Sequence, residues 1–145
     1  MKGIDVAKWN GVIDWKKVKE DGVQFAILKA INKQCKVEDS FNRNYEGALS
    51  VGLPIDVYNY SYATTVSKAT SDAQAVLNAI KGKKVGTVWL DVEDKIQMNL
   101  GMTLIDIINA YKYIIEKAGY GFGVYTGLSF YNTLIKPYHS FLGCK

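Results

Sequence analysis

The amino-acid sequence predicts an α/β domain built from parallel βα repeats, and three observations lead there. Short apolar runs alternate with longer amphipathic segments along the chain, the pattern of a parallel sheet whose crossovers are helices. A glycine closes each amphipathic segment, at Gly22, Gly52, Gly82 and Gly119, where a helix needs its C-terminal stop. The 145 residues are 48% hydrophobic and 22% charged with only 2 prolines, which excludes disorder and supplies a core without disulfide staples. No linker or further repeat divides the chain, so residues 1–145 are expected to form one domain.

Taken in order, the first strand is expected over Gly3 to Ala7. A helix follows from about Asp14, a good N-cap, with Trp15 and Val18 on one face. Strand two covers Gln24 to Ala30. The second helix starts near Asp39 and Ser40 and carries a stripe of Phe41, Tyr45, Ala48 and Leu49. Strand three spans Ile55 to about Tyr60, and helix three aligns Ala69, Ala73, Val76, Leu77 and Ile80. Strand four is Thr87 to Glu93. Helix four is capped at Thr103 and buries Leu104, Ile107, Ile108, Tyr111, Ile114 and Ile115 before Gly119. Strand five is Gly121 to Thr126, a short helix covers Leu128 to Ile135, and no sixth strand is evident.

Composition removes several functions. Eighteen Lys and Arg against 14 Asp and Glu give a net charge of +4, spread over probable helix faces without any nucleic-acid-binding signature, so no nucleic-acid partner is expected. No apolar run reaches the roughly 18 residues of a membrane span, and the first residues lack a signal-peptide core. A protein made in the cytoplasm, with no membrane partner, follows. His139 is the only histidine, and Cys35 and Cys144 have no metal-ligand spacing, which argues for two unpaired thiols and against histidine triads and zinc sites. Neither GxGxxG, GxxxxGK[ST] nor GxSxG occurs, so dinucleotide, P-loop and serine-hydrolase chemistry lack their loops. Carboxylates remain as the chemical groups.

In parallel α/β folds the working residues gather at the C-terminal ends of strands. Asp5 on strand one, and Asp91 and Glu93 on strand four, stand there. In Trp89-Leu90-Asp91-Val92-Glu93 the two acids are expected on one face with Cα atoms about 6.6 Å apart. Two carboxyls so close do not both ionise easily, which makes an acid beside an anion, the division of labour that glycosidic cleavage requires. The same pattern also fits a solvent-facing Glu93 and an Asp91 that caps a neighbouring loop. Tyr58, Tyr60 and Tyr62 alternate at the end of strand three and Tyr125 ends strand five. Such aromatics suit either a half-buried sheet or the stacking faces of a sugar.

These residues resemble a family. Gly3-Ile4-Asp5-Val6-Ala7-Lys8-Trp9-Asn10-Gly11, with Ile13-Asp14-Trp15 and Val18-Lys19, is similar to the opening of family 25 glycoside hydrolases, the Chalaropsis-type lysozymes found among phage endolysins and bacterial autolysins. Phe25-Ala26-Ile27-Leu28-Lys29-Ala30 agrees next, then Asp39 and Phe41 through Gly52-Leu53 to Tyr58-Asn59-Tyr60-Ser61-Tyr62-Ala63, then Leu90-Asp91-Val92-Glu93.

The resemblance implies a modified TIM-type barrel and cleavage of the β-1,4 bond between N-acetylmuramic acid and N-acetylglucosamine in bacterial peptidoglycan, with no metal and no cofactor. Glu93 matches the general acid. Asp91 matches an assisting carboxylate, acting through the substrate's N-acetyl group or directly on the oxocarbenium-like state, and Asp5 a further acid at the site floor. Tyr58 and Tyr60 match positions lining the sugar cleft. The protein would be released to act on the cell wall.

Departures are equally plain. The family's barrel has eight strands and ordinarily ~200 or more residues, whereas about five βα units are expected here with the last strands missing, so the chain resembles a truncated member. Its open sheet edges would invite self-association. Asp56 stands where the family usually has glycine and puts an additional charge on the parity of Tyr58. Ile31-Asn32-Lys33 replaces a Thr-Glu-Gly type turn. Two alternatives therefore accompany the hydrolase: a catalytically dead flavodoxin-like remnant that binds wall glycan or a protein partner, and a Mg²⁺-dependent phosphotransfer domain on Asp5, Asp91 and Glu93.

Overall fold

Alternation along each strand assigns every side chain to one of two faces, and the two faces of this sheet differ sharply in burial. The computed structural model describes residues 1–143. It contains β1 (Gly3–Val6), β2 (Phe25–Lys29), β3 (Ile55–Tyr60), β4 (Thr87–Asp91) and β5 (Gly121–Tyr125). All pair in parallel, in the order β1-β2-β3-β4-β5. Val6, Ala26, Leu28, Val57, Val88 and Leu90 point to one face and are buried. Asp5, Ile27, Asp56, Tyr58 and Trp89 point to the other and remain partly or largely exposed.

The strand order discriminates between windings. A flavodoxin-like sheet would seat β1 between β2 and β3, whereas here β1 pairs with β2 only. Right-handed crossovers between sequential neighbours bring successive helices to the same side of the sheet, as in a barrel wall. Among the described residues β1 and β5 stay unpaired on their outer sides, so the sheet is open.

The buried face packs against α1 (Trp15–Glu20), α2 (Phe41–Ser50), α3 (Val66–Ile80) and α4 (Met102–Lys117). Asp14 caps α1 as expected, accepting from Lys17 N at 3.2 Å. On α2 the buried stripe is Phe41, Asn44, Tyr45 and Ala48. Leu49 is 38% exposed, because Asn44, bonded to Ser40 Oγ, takes the inward position. Thr103 does not cap α4. The helix begins at Met102 with Gly101 as N-cap at φ 55°, leaving Thr103 inside the first turn. After β5, α5 (Leu128–Phe130) runs into a wide turn over Tyr131–Ile135 and a 3-10 segment, Lys136–Phe141. The helical stretch thus extends beyond the expected Ile135. Cys144 lies outside the described residues.

Candidate active site

The exposed face of the sheet is hollow because two glycines on it, Gly3 and Gly123, each stand beside a large ring on the neighbouring strand. A Cβ on Gly3 would stand 2.1 Å from Phe25 Cζ, and one on Gly123 would stand 2.3 Å from Trp89 Cζ3. Gly3 is the register partner of Phe25 and Gly123 that of Trp89. Each glycine therefore lets the neighbouring ring lie across its strand. The result is a cleft of about 480 Å³ lined by Asp5, Phe25, Ile27, Tyr58, Trp89, Asp91, Glu93 and Tyr125.

Three acids meet at this cleft, from two strands. Asp5 is exposed on β1. Asp91 ends β4 and is only 8% exposed. Glu93 was expected within strand four, yet β4 stops at Asp91, so Glu93 stands beyond the strand and exposed. The termination has a visible cause. Ser61 N to Asp91 O and Val92 N to Tyr125 O still belong to the parallel ladder, but Val92 O accepts from the Thr126 side chain, Oγ1, in place of a strand N–H, and the pairing ends.

Burial divides the pair. Asp91 Oδ1 is buried without a hydrogen-bond partner among the described residues, and an ionised carboxylate so placed is costly. Its carboxyl is pushed up to about 7, first by burial, then by the charge and contact of Glu93, then by the charge of Asp5, with Lys29 opposing. Asp91 therefore holds its proton to higher pH than an ordinary carboxyl. Tyr58 is pushed up to about 12 by burial and by the charges of Asp5, Asp91 and Glu38, so its hydroxyl is a donor among carboxylates.

Of the tyrosines expected on the glycan, Tyr58 and Tyr125 line the cleft, and Tyr125 is 59% exposed. Tyr60 and Tyr62 are not among the lining residues. Tyr60 donates to Asp94 Oδ2 at 3.0 Å. Tyr62 falls past the end of β3, so the alternation that would align it with Tyr58 no longer applies. It packs on Tyr60, with Lys33 over its ring.

Three lining residues had gone unremarked as site residues: Phe25, Ile27 and Trp89. The signal was present, since Trp89 shares the parity of Asp91, and Phe25 and Ile27 alternate with the buried Ala26 and Leu28. Glu38 is a supporting acid. It is buried and accepts from Lys8 N at 2.8 Å, Ser40 N at 3.0 Å and Ser40 Oγ at 2.6 Å, binding the loop after Asp5 to the loop before α2. The added acid, Asp56, accepts from Thr87 N at 2.9 Å and Trp89 Nε1 at 3.0 Å. Among the described residues no group of three or more His, Cys, Asp or Glu is arranged to hold a metal ion, and no helix is long and apolar enough to cross a membrane.

The family model for glycosyl hydrolases family 25 matches residues 4–141. An autolytic lysozyme of Clostridium acetobutylicum is 31% identical over 132 residues, covering 90% of this chain and 40% of that protein. Lysozyme M1 of Streptomyces globisporus is 36% identical over 61 residues, 42% of this chain and 21% of the relative. The chain thus spans less than half the length of these curated relatives. Among solved structures, the modular autolysin LytC of Streptococcus pneumoniae superposes with a TM-score of 0.82 at 29% identity, covering 92% of this chain and 34% of that one. The catalytic domain of endolysin ply40 from Listeria monocytogenes bacteriophage P40 gives 0.82 at 21% identity over 93% of this chain and 67% of that one, a likeness of fold.

Proposed function

We propose, from the premise that this chain belongs to glycosyl hydrolases family 25, that it is a single-domain lysozyme-type unit acting on bacterial peptidoglycan. The bond cleaved is the β-1,4 link between N-acetylmuramic acid and N-acetylglucosamine, without metal or cofactor. One observation carries this reading: three carboxyls, Asp5, Asp91 and Glu93, share a cleft with Phe25, Tyr58, Trp89 and Tyr125, acids beside aromatic faces. Relatives named lysozyme, and a LytC structure described in complex with a synthetic peptidoglycan ligand, support the choice of substrate. The net charge of +4 suits an anionic wall polymer.

In this reading Glu93, the exposed member of the pair, is the general acid. It gives its proton to the glycosidic oxygen as the bond to C1 breaks, the electron pair leaves with that oxygen, and water then supplies the oxygen that bonds C1 and the proton that restores the acid. Asp91 is the partner whose anion faces the positive charge growing at C1. Before the bond breaks, the proton held by Asp91 passes to Glu93, which leaves Asp91 as the anion. Asp5 adds negative potential at the floor, and Tyr58 and Tyr125 contact the sugar. The protein acts on the cell wall after release from the cytoplasm, as an endolysin does.

Release of reducing ends from purified peptidoglycan tests the assignment. Glu93→Gln keeps the shape of the side chain and removes its proton, so the rate is expected to fall about 10²- to 10⁴-fold with circular dichroism unchanged. A variant that keeps half the parent rate sinks Glu93 as the acid. The exposure of Glu93 also favours a second reading, a glycan-binding unit without turnover. Binding of soluble glycan by both proteins with no reducing ends from either is its signature.

A further inference from the structure

Asp56 is an acid on the cleft-side face of β3 that the proposed chemistry does not use, and both of its oxygens are committed. Oδ1 accepts from Thr87 N at 2.9 Å and Oδ2 accepts from Trp89 Nε1 at 3.0 Å. Hydrogen bonds to an ionised carboxylate are the stronger kind. At its other end the Trp89 ring rests on Gly123, where a Cβ would stand 2.3 Å from Cζ3, 2.5 Å from Cε3 and 3.0 Å from Cη2. Trp89 is thereby held at the five-membered ring by a carboxylate and seated at the six-membered ring on bare backbone. It lines the cleft two residues before Asp91, on the same face of β4.

We propose that Asp56 is a positioning residue that sets the Trp89 indole as the pre-formed platform for one sugar ring of the bound glycan. A ring immobilised before the ligand arrives loses little conformational entropy on binding. Its apolar face meets the C–H face of a pyranose while the hydroxyls remain free to bond elsewhere. Without the carboxylate the indole N–H is left without its acceptor, and the ring is free to turn about its side-chain torsions. Asp56 touches neither the substrate nor the reacting atoms in this scheme. The proposal rests on the glycan reading of the cleft.

The test combines a spectroscopic and a binding measurement on the chain itself. Asp56→Asn cannot accept from both donors at once, because one of its two terminal atoms is an NH₂. The Trp89 indole N–H resonance, identified by its loss in Trp89→Phe, is expected to move and to exchange faster with water. Binding of a short soluble oligomer of β-1,4-linked N-acetylglucosamine is expected to weaken about tenfold, with KM on peptidoglycan rising more than kcat falls. In a Trp89→Phe background the same Asp56 change is expected to add nothing, since the two act through one contact. An unmoved indole resonance, or equal weakening with and without Trp89, overturns the proposal. Should Asp56→Asn not fold, Trp89→Phe alone removes the N–H donor and keeps a ring, and unaltered oligomer affinity in that variant also overturns it. A parent chain that binds no oligomer overturns the glycan reading together with this one. Equal binding by parent and Asp56→Asn overturns this one alone.

Discussion

Asp91 and Glu93 are separated by one residue yet meet different surroundings, and the difference yields a measurable pH dependence. Asp91 is buried, with its carboxyl raised from 3.8 to about 7. The folded chain therefore binds a proton between these values that the unfolded chain does not, so stability falls as pH rises through that interval and stays lowered above it. Asp91→Asn removes the titration. Its gain over the parent is expected to be small near pH 4 and full above pH 7, read as the difference in melting temperature between the two proteins. A difference that stays constant from pH 4 to 8 contradicts the buried carboxyl. Cys35 makes the opposite case at this scale. Its thiol lies beside Lys68 and Asp72, with Sγ donating to Asp72 Oδ1 and accepting from Lys68 Nζ, each at 3.0 Å. Burial, foremost, pushes the thiol up, which keeps it neutral and a poor nucleophile at pH 7. Cys35→Ser is expected to leave activity within about twofold; a large loss with an unaltered circular dichroism spectrum implicates the thiol.

At the scale of elements, the glycines on the cleft-side face matter as much as the rings they admit. Gly123→Ala places a Cβ within 2.3 Å of the Trp89 ring, and overpacking of this kind costs about 1 to 3 kcal/mol. Chemical denaturation of parent and variant measures that cost, and a loss below a few tenths would mean that the indole does not rest on Gly123. Legibility also varies element by element. Strand three, expected from Ile55 to about Tyr60, is Ile55–Tyr60, although the alternation of tyrosines runs on in the sequence to Tyr62. Strand four was overextended to Glu93 because parity alone does not reveal where a side chain takes a backbone acceptor from the ladder, here Thr126 Oγ1 on Val92 O. The same overextension placed Tyr62 beside Tyr58. The cap of α4 was misread because Gly101, at φ 55°, turns the chain without any side-chain oxygen to announce it. Asp5, Asp91, Glu93, Tyr58 and Tyr125 were legible as cleft residues from strand ends and parity. Trp89 shares the parity of Asp91, but a tryptophan in an apolar run suits the core as well as a floor, so parity alone did not single it out.

For the whole molecule, the winding matters more than the count of strands. Sequential order β1 to β5 places Asp5 at one edge strand and Tyr125 at the other, with Asp91 and Tyr58 between, so the cleft is a curved wall segment. That much followed from the βα alternation once a barrel-type winding was taken over a flavodoxin-like one. What alternation leaves open is closure, which depends on how many strands meet around the axis. Among the described residues the outer backbone groups of β1 and β5 have no strand partner. Phe25, Ile27 and Trp89 leave the adjoining face incompletely covered. Unpaired edges beside apolar surface are templates for strand pairing between molecules. The 145-residue chain is therefore expected to self-associate as concentration rises, with a weight-average mass above that of one chain by light scattering. Tyr125→Lys puts a charge at the exposed end of β5, where like charges on two approaching edges repel, and is expected to shift the protein toward monomer. If the parent remains monomeric across the concentration range, the edges are already protected.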